Sequence, residues 1–165
     1  MDETNFKPKK VTNLNDRFDE DGVLCVRGLL KHTQAIAHKV ESHDKTPNID
    51  ASIELIDDED RPVGELTIQA KTYKSKYQGQ NKADVPDYFV AYASRMRNKV
   101  CVFFSVDANA NKIYWKYISD DYIREFQKRG YNAIHGCQFT KDEILSNENV
   151  HETINRCKIF FNVHL

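Results

Sequence analysis

Asp50, Glu54, Gln69 and Lys71 are the residues of this chain whose types and spacing suit one kind of chemistry. Carboxylate and carboxamide oxygens are the ligands that a hard divalent ion such as Mg²⁺ prefers, an ion that keeps several waters and shares its remaining positions with substrate phosphate. Such an ion polarises a phosphodiester, lowers the pKa of a bound water and orients its attack. An amine beside it holds that water or neutralises charge developing on the phosphate.

These four residues meet only if two strands carry them. Successive side chains on a strand point to opposite faces. Ile49, Ala51, Ile53 and Leu55 form an apolar row that leaves Asp50, Ser52 and Glu54 on the other side. Leu66, Ile68 and Ala70 repeat the pattern, with Thr67, Gln69, Lys71 and Tyr73 opposite. A connection over Asp57 to Glu65 predicts an antiparallel hairpin, with Asp50 near Lys71 or Tyr73 and Glu54 near Thr67 or Gln69. Neighbouring side-chain bases then lie roughly 5 to 8 Å apart. The acidic turn Asp57-Asp58-Glu59-Asp60 lacks the alternating ligands of a calcium loop and reads as a solvated turn.

Other elements frame the hairpin. A first helix is expected from a cap at Asn13 or Asn15 to about Leu30, with Phe18, Val23, Val26, Leu29 and Leu30 on its apolar stripe. Ile36, His38 and Val40 alternate as a strand. Pro86 opens a helix through Met96, and strands at 100–106 and 112–117 follow, joined by residues 107–111. Ser119 caps a helix that Gly130 ends. Beyond it, Thr140 starts a short helix and Asn149 another, through Cys157, before the apolar run Ile159-Phe160-Phe161. The whole chain reads as one domain, with a core at about 12–128 and a helical extension at 129–165.

On Asp50 and Gln69-Ala70-Lys71, the chain resembles the PD-(D/E)XK nuclease superfamily of restriction enzymes, Mrr-type nucleases and Holliday-junction resolvases. An acid on one core strand precedes Asp/Glu-X-Lys on the next. It is most similar to a bacterial branch with Asp, Glu four residues later, and Gln-X-Lys, followed by strands like Val100–Val106 and the Tyr114-Trp115 strand. The resemblance implies an α/β fold, a restriction-endonuclease-like mixed sheet flanked by helices. It implies a metal-dependent DNA endonuclease of restriction or anti-phage defence, with Mg²⁺ or Mn²⁺ on Asp50, Glu54 and Gln69, and Lys71 at the reacting phosphate. It also implies an acid from the first helix, Glu20 with Asp19 and Asp21 as rivals, and fusion to, or partnership with, an ATPase or sensor module; a homo-oligomer is compatible with it. The chain departs from the pattern at Gln69, where a carboxylate is usual and Glu54 would make up the charge, and at Asn48, where the branch has Gly. The alternative is a nuclease-like scaffold that binds nucleic acid or a protein without cutting.

Charge distribution bears on the partner. The net formal charge is −1, yet residues 61–99 hold eight basic side chains against three acids, while residues 1–60 hold fourteen acids against eight bases. Lys74 and Lys76 continue from the proposed catalytic strand toward backbone phosphates, with Tyr73 and Tyr77 able to stack on a base or pack on a sugar. The same lysines also read as a solvated loop. DNA is the expected partner, with RNA left open. The acidic start and the lack of a long apolar run argue against a leader or membrane span and make the cytoplasm the expected compartment. Four scattered cysteines read as free thiols, and six histidines show no metal-ligand spacing.

Overall fold

Residues 20–38 and 49–163 are described by the computed structural model. In chain order they form α1 (Glu20–Leu30), β1 (Ala35–His38), β2 (Ala51–Ile56), β3 (Pro62–Thr72), β4 (Lys82–Ala83), α2 (Asp87–Arg95), β5 (Val100–Asp107), β6 (Lys112–Tyr117), α3 (Asp120–Arg129), β7 (Cys137–Gln138), β8 (Ile144–Leu145), α4 (Val150–Cys157) and α5 (Ile159–Val163). The expected start of the first helix, with Phe18, and the strand's Val40 lie outside the described residues.

The main sheet runs β1-β2-β3-β5-β6-β8, and β4 pairs with β7 in a separate ribbon. β3 and β5 are parallel, and the other pairings are antiparallel. A parallel pair needs a crossover, which α2 provides. The architecture is the α/β mixed sheet between helices that the sequence predicts.

One face buries Leu66, Ile68 and Ala70 of β3 with Val23, Val26, Leu29 and Leu30 of α1 and Val150, Ile154 and Cys157 of α4. The other buries Cys101 and Phe103 of β5 beneath Tyr88, Phe89, Val90 and Ala93 of α2, with Ile123 and Phe126 of α3. β5 is therefore covered on both sides, which accounts for its unbroken apolar run. The same cover extends over β3, because Thr67 stands beside Cys101 and Gln69 beside Phe103. Gln69 is 0% exposed, so the polar row is buried at Asp50, Thr67 and Gln69 and half-buried at Ser52, Glu54, Lys71 and Tyr73.

Three expectations need correction. The connection is shorter than Asp57–Glu65: Asp57 Oδ1 accepts the N–H groups of Glu59 and Arg61 at 2.9 and 3.0 Å, and β3 begins at Pro62. The register then places Ser52 opposite Thr67 and Glu54 opposite Glu65. In β1 the phase is shifted by one residue, since Ala35 is buried while Ile36 is 42% exposed. Finally, the segment after residue 129 is not a helical extension alone, because β8 joins the main sheet beside β6 and β7 pairs with β4.

The expected cap and stop of α3 are present. Ser119 Oγ accepts the Tyr122 N–H at 3.1 Å, and Gly130 ends α3 at a φ of 64° that favours glycine. The cysteines are free. Burial pushes the Cys101 and Cys157 thiols up to about 12, which leaves them unreactive at neutral pH.

α5 returns to the hairpin. Phe160 stacks on Tyr117 with ring centroids 4.3 Å apart, Lys158 Nζ donates to Gln34 Oε1, and the Phe161 ring occupies the space that a Cβ on Gly64 would need. Gly64→Ala must displace that ring, at an expected cost of about 1–3 kcal/mol from overpacking. Urea denaturation checks this, and a smaller loss in a Phe161→Ala background identifies the ring as the cause.

Candidate functional site

Asp50 sits just before β2 and is 7% exposed. Its N–H donates to the Ile68 carbonyl at 2.8 Å, which ties it to β3. Its Oδ2 accepts the Ala70 N–H at 2.8 Å and the Gln69 Nε2–H. Asp50 and Gln69 are thus in direct contact. Gln69 Oε1, also buried, has no hydrogen-bond partner among the described residues. A buried carbonyl oxygen left in that state costs about 1–3 kcal/mol.

Lys71 follows two residues along the same face, paired in register with Ser105. Its Nζ lies 5.6 Å from the centroid of the Tyr88 ring, a cation–π contact that directs the amine toward the start of α2. Lys71 there lines a cleft of about 260 Å³, with Ser105 and Tyr88 beside it and Lys74, Asp84, Asp87 and His135 around it.

Glu54 is not brought into this group. It shares the polar face of β2, but it stands opposite Glu65, four residues from Asp50, which is about 13 Å along a strand. Glu20 is exposed at the start of α1, and α1 packs on the face opposite to Gln69. Asp21 is exposed beside it, and Asp19 lies outside the described residues. Among the described residues no cluster of three or more His, Cys, Asp or Glu side chains is arranged to hold a metal.

The tyrosines and lysines after β3 take different places from those expected. Tyr73 stacks on Tyr114, with centroids 4.7 Å apart and planes at 17°, and its OH donates to the carbonyls of Tyr77 and Gln80. Burial, with Tyr114 beside it, pushes the Tyr73 phenol up to about 12 and keeps it a neutral donor. Tyr73 is therefore a packing residue rather than a stacking platform for a base. Tyr77 donates its OH to Asp84, and the Lys76 amine lies 4.7 Å from its ring centroid. Lys74 and Lys76 both reach Asp84 Oδ2, at 3.0 and 3.1 Å.

Asp84 is the residue that the sequence pattern did not single out. Burial alone would raise its pKa, but hydrogen bonds from Tyr77, the Gly136 N–H, Lys74 and Lys76 outweigh that and hold the carboxyl well below the usual range. Its sequence signal is slight: it is one of few acids in a lysine-rich stretch, three residues before a helix. Asp87, Ser105 and His135 also line the cleft without having stood out, because each comes from a different element.

Comparison of the chain with models of known families, with curated proteins and with solved structures found no match in any of the three. Among the described residues no helix is long and apolar enough to cross a membrane.

Proposed function

We propose that this chain is a metal-dependent nuclease domain that hydrolyses phosphodiester bonds of DNA, with its reacting centre at Asp50, Gln69 and Lys71. The observation that carries this reading is the contact of Asp50 with Gln69 on a face where Lys71, two residues on, lines a cleft edged by lysines. The element order supports it as well. A helix, three antiparallel strands, a crossover helix and a parallel strand agree with the order expected of PD-(D/E)XK nucleases.

The donor types suit Mg²⁺, but Asp50 and Gln69 are buried and do not line the Lys71 cleft, so a hydrated ion reaches them only if the sheet face opens toward that cleft. Asp50 offers a carboxylate, and Gln69 offers a buried carbonyl oxygen with no hydrogen-bond partner among the described residues. Mg²⁺ commonly takes only one or two protein ligands and completes its shell with water and phosphate. Gln69 now presents its amide to Asp50, so a half-turn of the carboxamide is needed for both oxygens to face one cation. When bound, Mg²⁺ or Mn²⁺ supplies Lewis acidity toward the phosphate and a more acidic water. Asp50 keeps its position through the backbone N–H of Ala70. Lys71 places positive charge where the attacked phosphate gathers negative charge. Glu54 and Glu20 have no part in this arrangement.

The test is nicking of supercoiled plasmid with Mg²⁺, with Mn²⁺ and with EDTA. Wild type is expected to cut with metal only, and Asp50→Ala and Lys71→Ala to fall to background; equal activity in all three would overturn the assignment. RNA of matched sequence tests the sugar preference.

One observation favours the alternative of binding without cleavage. The Gln69 amide already bonds Asp50, which leaves that carboxylate less open to a cation. Metal-independent binding of DNA, with no cutting under any divalent ion, is the result that selects it.

A further inference from the structure

Asp84 gathers groups from three separate segments. Lys74, Lys76 and Tyr77 come from the turn after β3, Gly136 and His135 from the segment after α3, and Asp84 itself from the approach to α2. Its Oδ1 accepts the Tyr77 OH and the Gly136 N–H, the latter at 2.9 Å, with His135 Nδ1 at 3.8 Å. Its Oδ2 accepts both lysines, so two ammonium groups stand side by side on one oxygen. The Asp84 side chain is 12% exposed, while those of Lys74 and Lys76 are 57% and 56% exposed.

This arrangement has an electrostatic consequence. One carboxylate cannot neutralise two ammonium groups, so the pair keeps a surplus positive charge facing water, with Lys74 lining the cleft that holds Lys71 and Lys76 beside it on Asp84. Held apart in solution, two lysine side chains must give up rotamer freedom to grip one phosphate. Fixed on one shared, half-buried anchor, they have already lost part of it.

Resting on the nuclease reading above, we propose that Asp84 is a positioning residue that builds Lys74 and Lys76 into a clamp for one backbone phosphate of the nucleic-acid strand entering the cleft. The rival view is that Asp84 masks the lysines. The two views differ in the sign of one measurement. Removing an acid from a basic surface strengthens polyanion binding on charge alone. Removing the anchor of a clamp weakens it.

The experiment is binding of a short fluorescent DNA oligonucleotide in EDTA, so that cleavage does not intervene, across a salt series. Asp84→Asn is expected to bind at least fivefold more weakly than wild type at low salt, and Asp84→Glu to recover most of the loss. Lys74→Gln and Lys76→Gln are each expected to weaken binding and to lower the slope of log K against log salt by roughly one. Because both lysines are more than half exposed, these two variants carry the test even if Asp84→Asn proves too unstable. Equal or tighter binding by Asp84→Asn overturns the proposal, as does an unchanged slope in both lysine variants. Wild type that binds no DNA overturns this clamp together with the nuclease reading. DNA binding that depends on these residues, in a protein that cuts nothing, keeps the clamp and overturns only the nuclease. Inorganic phosphate as the competitor separates the sources: saturation by phosphate without any DNA binding overturns the strand as ligand.

Discussion

Gln69→Glu is expected to make the stability of the protein depend on divalent metal. Asp50 and Gln69 touch in a buried position, where the Gln69 amide and the Ala70 N–H both donate to the Asp50 carboxylate. A glutamate would replace that donor with a second negative charge, and two buried carboxylates in contact cannot both remain ionised without a cation. In EDTA at neutral pH the variant should lose about 3–5 kcal/mol, the usual cost of an uncompensated buried charge. For a chain of this size that is a fall in Tm of roughly 6–20 °C. Millimolar Mn²⁺ or Mg²⁺ should return most of it, while wild type shifts little. Lowering the pH toward 5 should also narrow the gap. The paired carboxylates hold a proton in the folded state that the unfolded chain releases, so folding is favoured as pH falls. If cleavage by wild type is weak, the same variant should cut faster with metal. Thermal melts with and without metal decide the point, and a Gln69→Glu protein indifferent to divalent ions would remove the metal site from this position.

The second large effect belongs to Asp84. Its carboxyl titrates well below the usual 3.8 in the folded protein, because the hydrogen bonds from Tyr77, Gly136, Lys74 and Lys76 outweigh the effect of burial. A depressed folded pKa stabilises the native state above the unfolded pKa, and that stabilisation is lost as pH falls through the folded value. Wild type should therefore weaken progressively from about pH 5 downward. Asp84→Ala should be about 1–3 kcal/mol less stable at pH 7, mainly from the lost Tyr77 and Gly136 hydrogen bonds, and the difference should shrink steadily in acid. Urea denaturation between pH 3 and 7 tests this. A constant difference across that range would mean that the loss comes from packing and not from the charge.

The polar face itself was legible in the sequence, because alternation over residues 49 to 73 sorts apolar from polar side chains whatever the register. Its burial was not read from the hairpin. The signal lay elsewhere, in Cys101 and Phe103, which turn the run Val100–Val106 into a strand covered on both sides and so place α2 over Gln69. The register escaped because it depends on turn length, and Asp57 closes the turn through its own side chain within four residues. That detail sets Glu54 opposite Glu65 instead of Gln69, while its four-residue separation from Asp50 along the strand holds in any register. Asp84 escaped for a different reason: it bonds Gly136, 52 residues away, and local pattern cannot report a contact at that separation. His135 and Ser105 share the difficulty, since only the parallel pairing of β3 and β5 and the segment after α3 bring them to Lys71.

The seat of Phe161 on Gly64 has a bearing on how the chain is made. The hairpin is synthesised early, and the ring that covers its glycine arrives only near residue 161. At about 5–20 residues per second, β2 and β3 wait roughly 5 to 20 s on the ribosome before that cover exists. β3 also lacks its parallel neighbour until residues 100–107 have emerged, so a central strand of the sheet leaves the ribosome with one edge unpaired. The nascent domain is thus most open to chaperone capture or self-association before α2 and β5 are complete. A pulse of protease on stalled nascent chains should find the hairpin cleavable until β5, and its Gly64 end until α5, has cleared the exit.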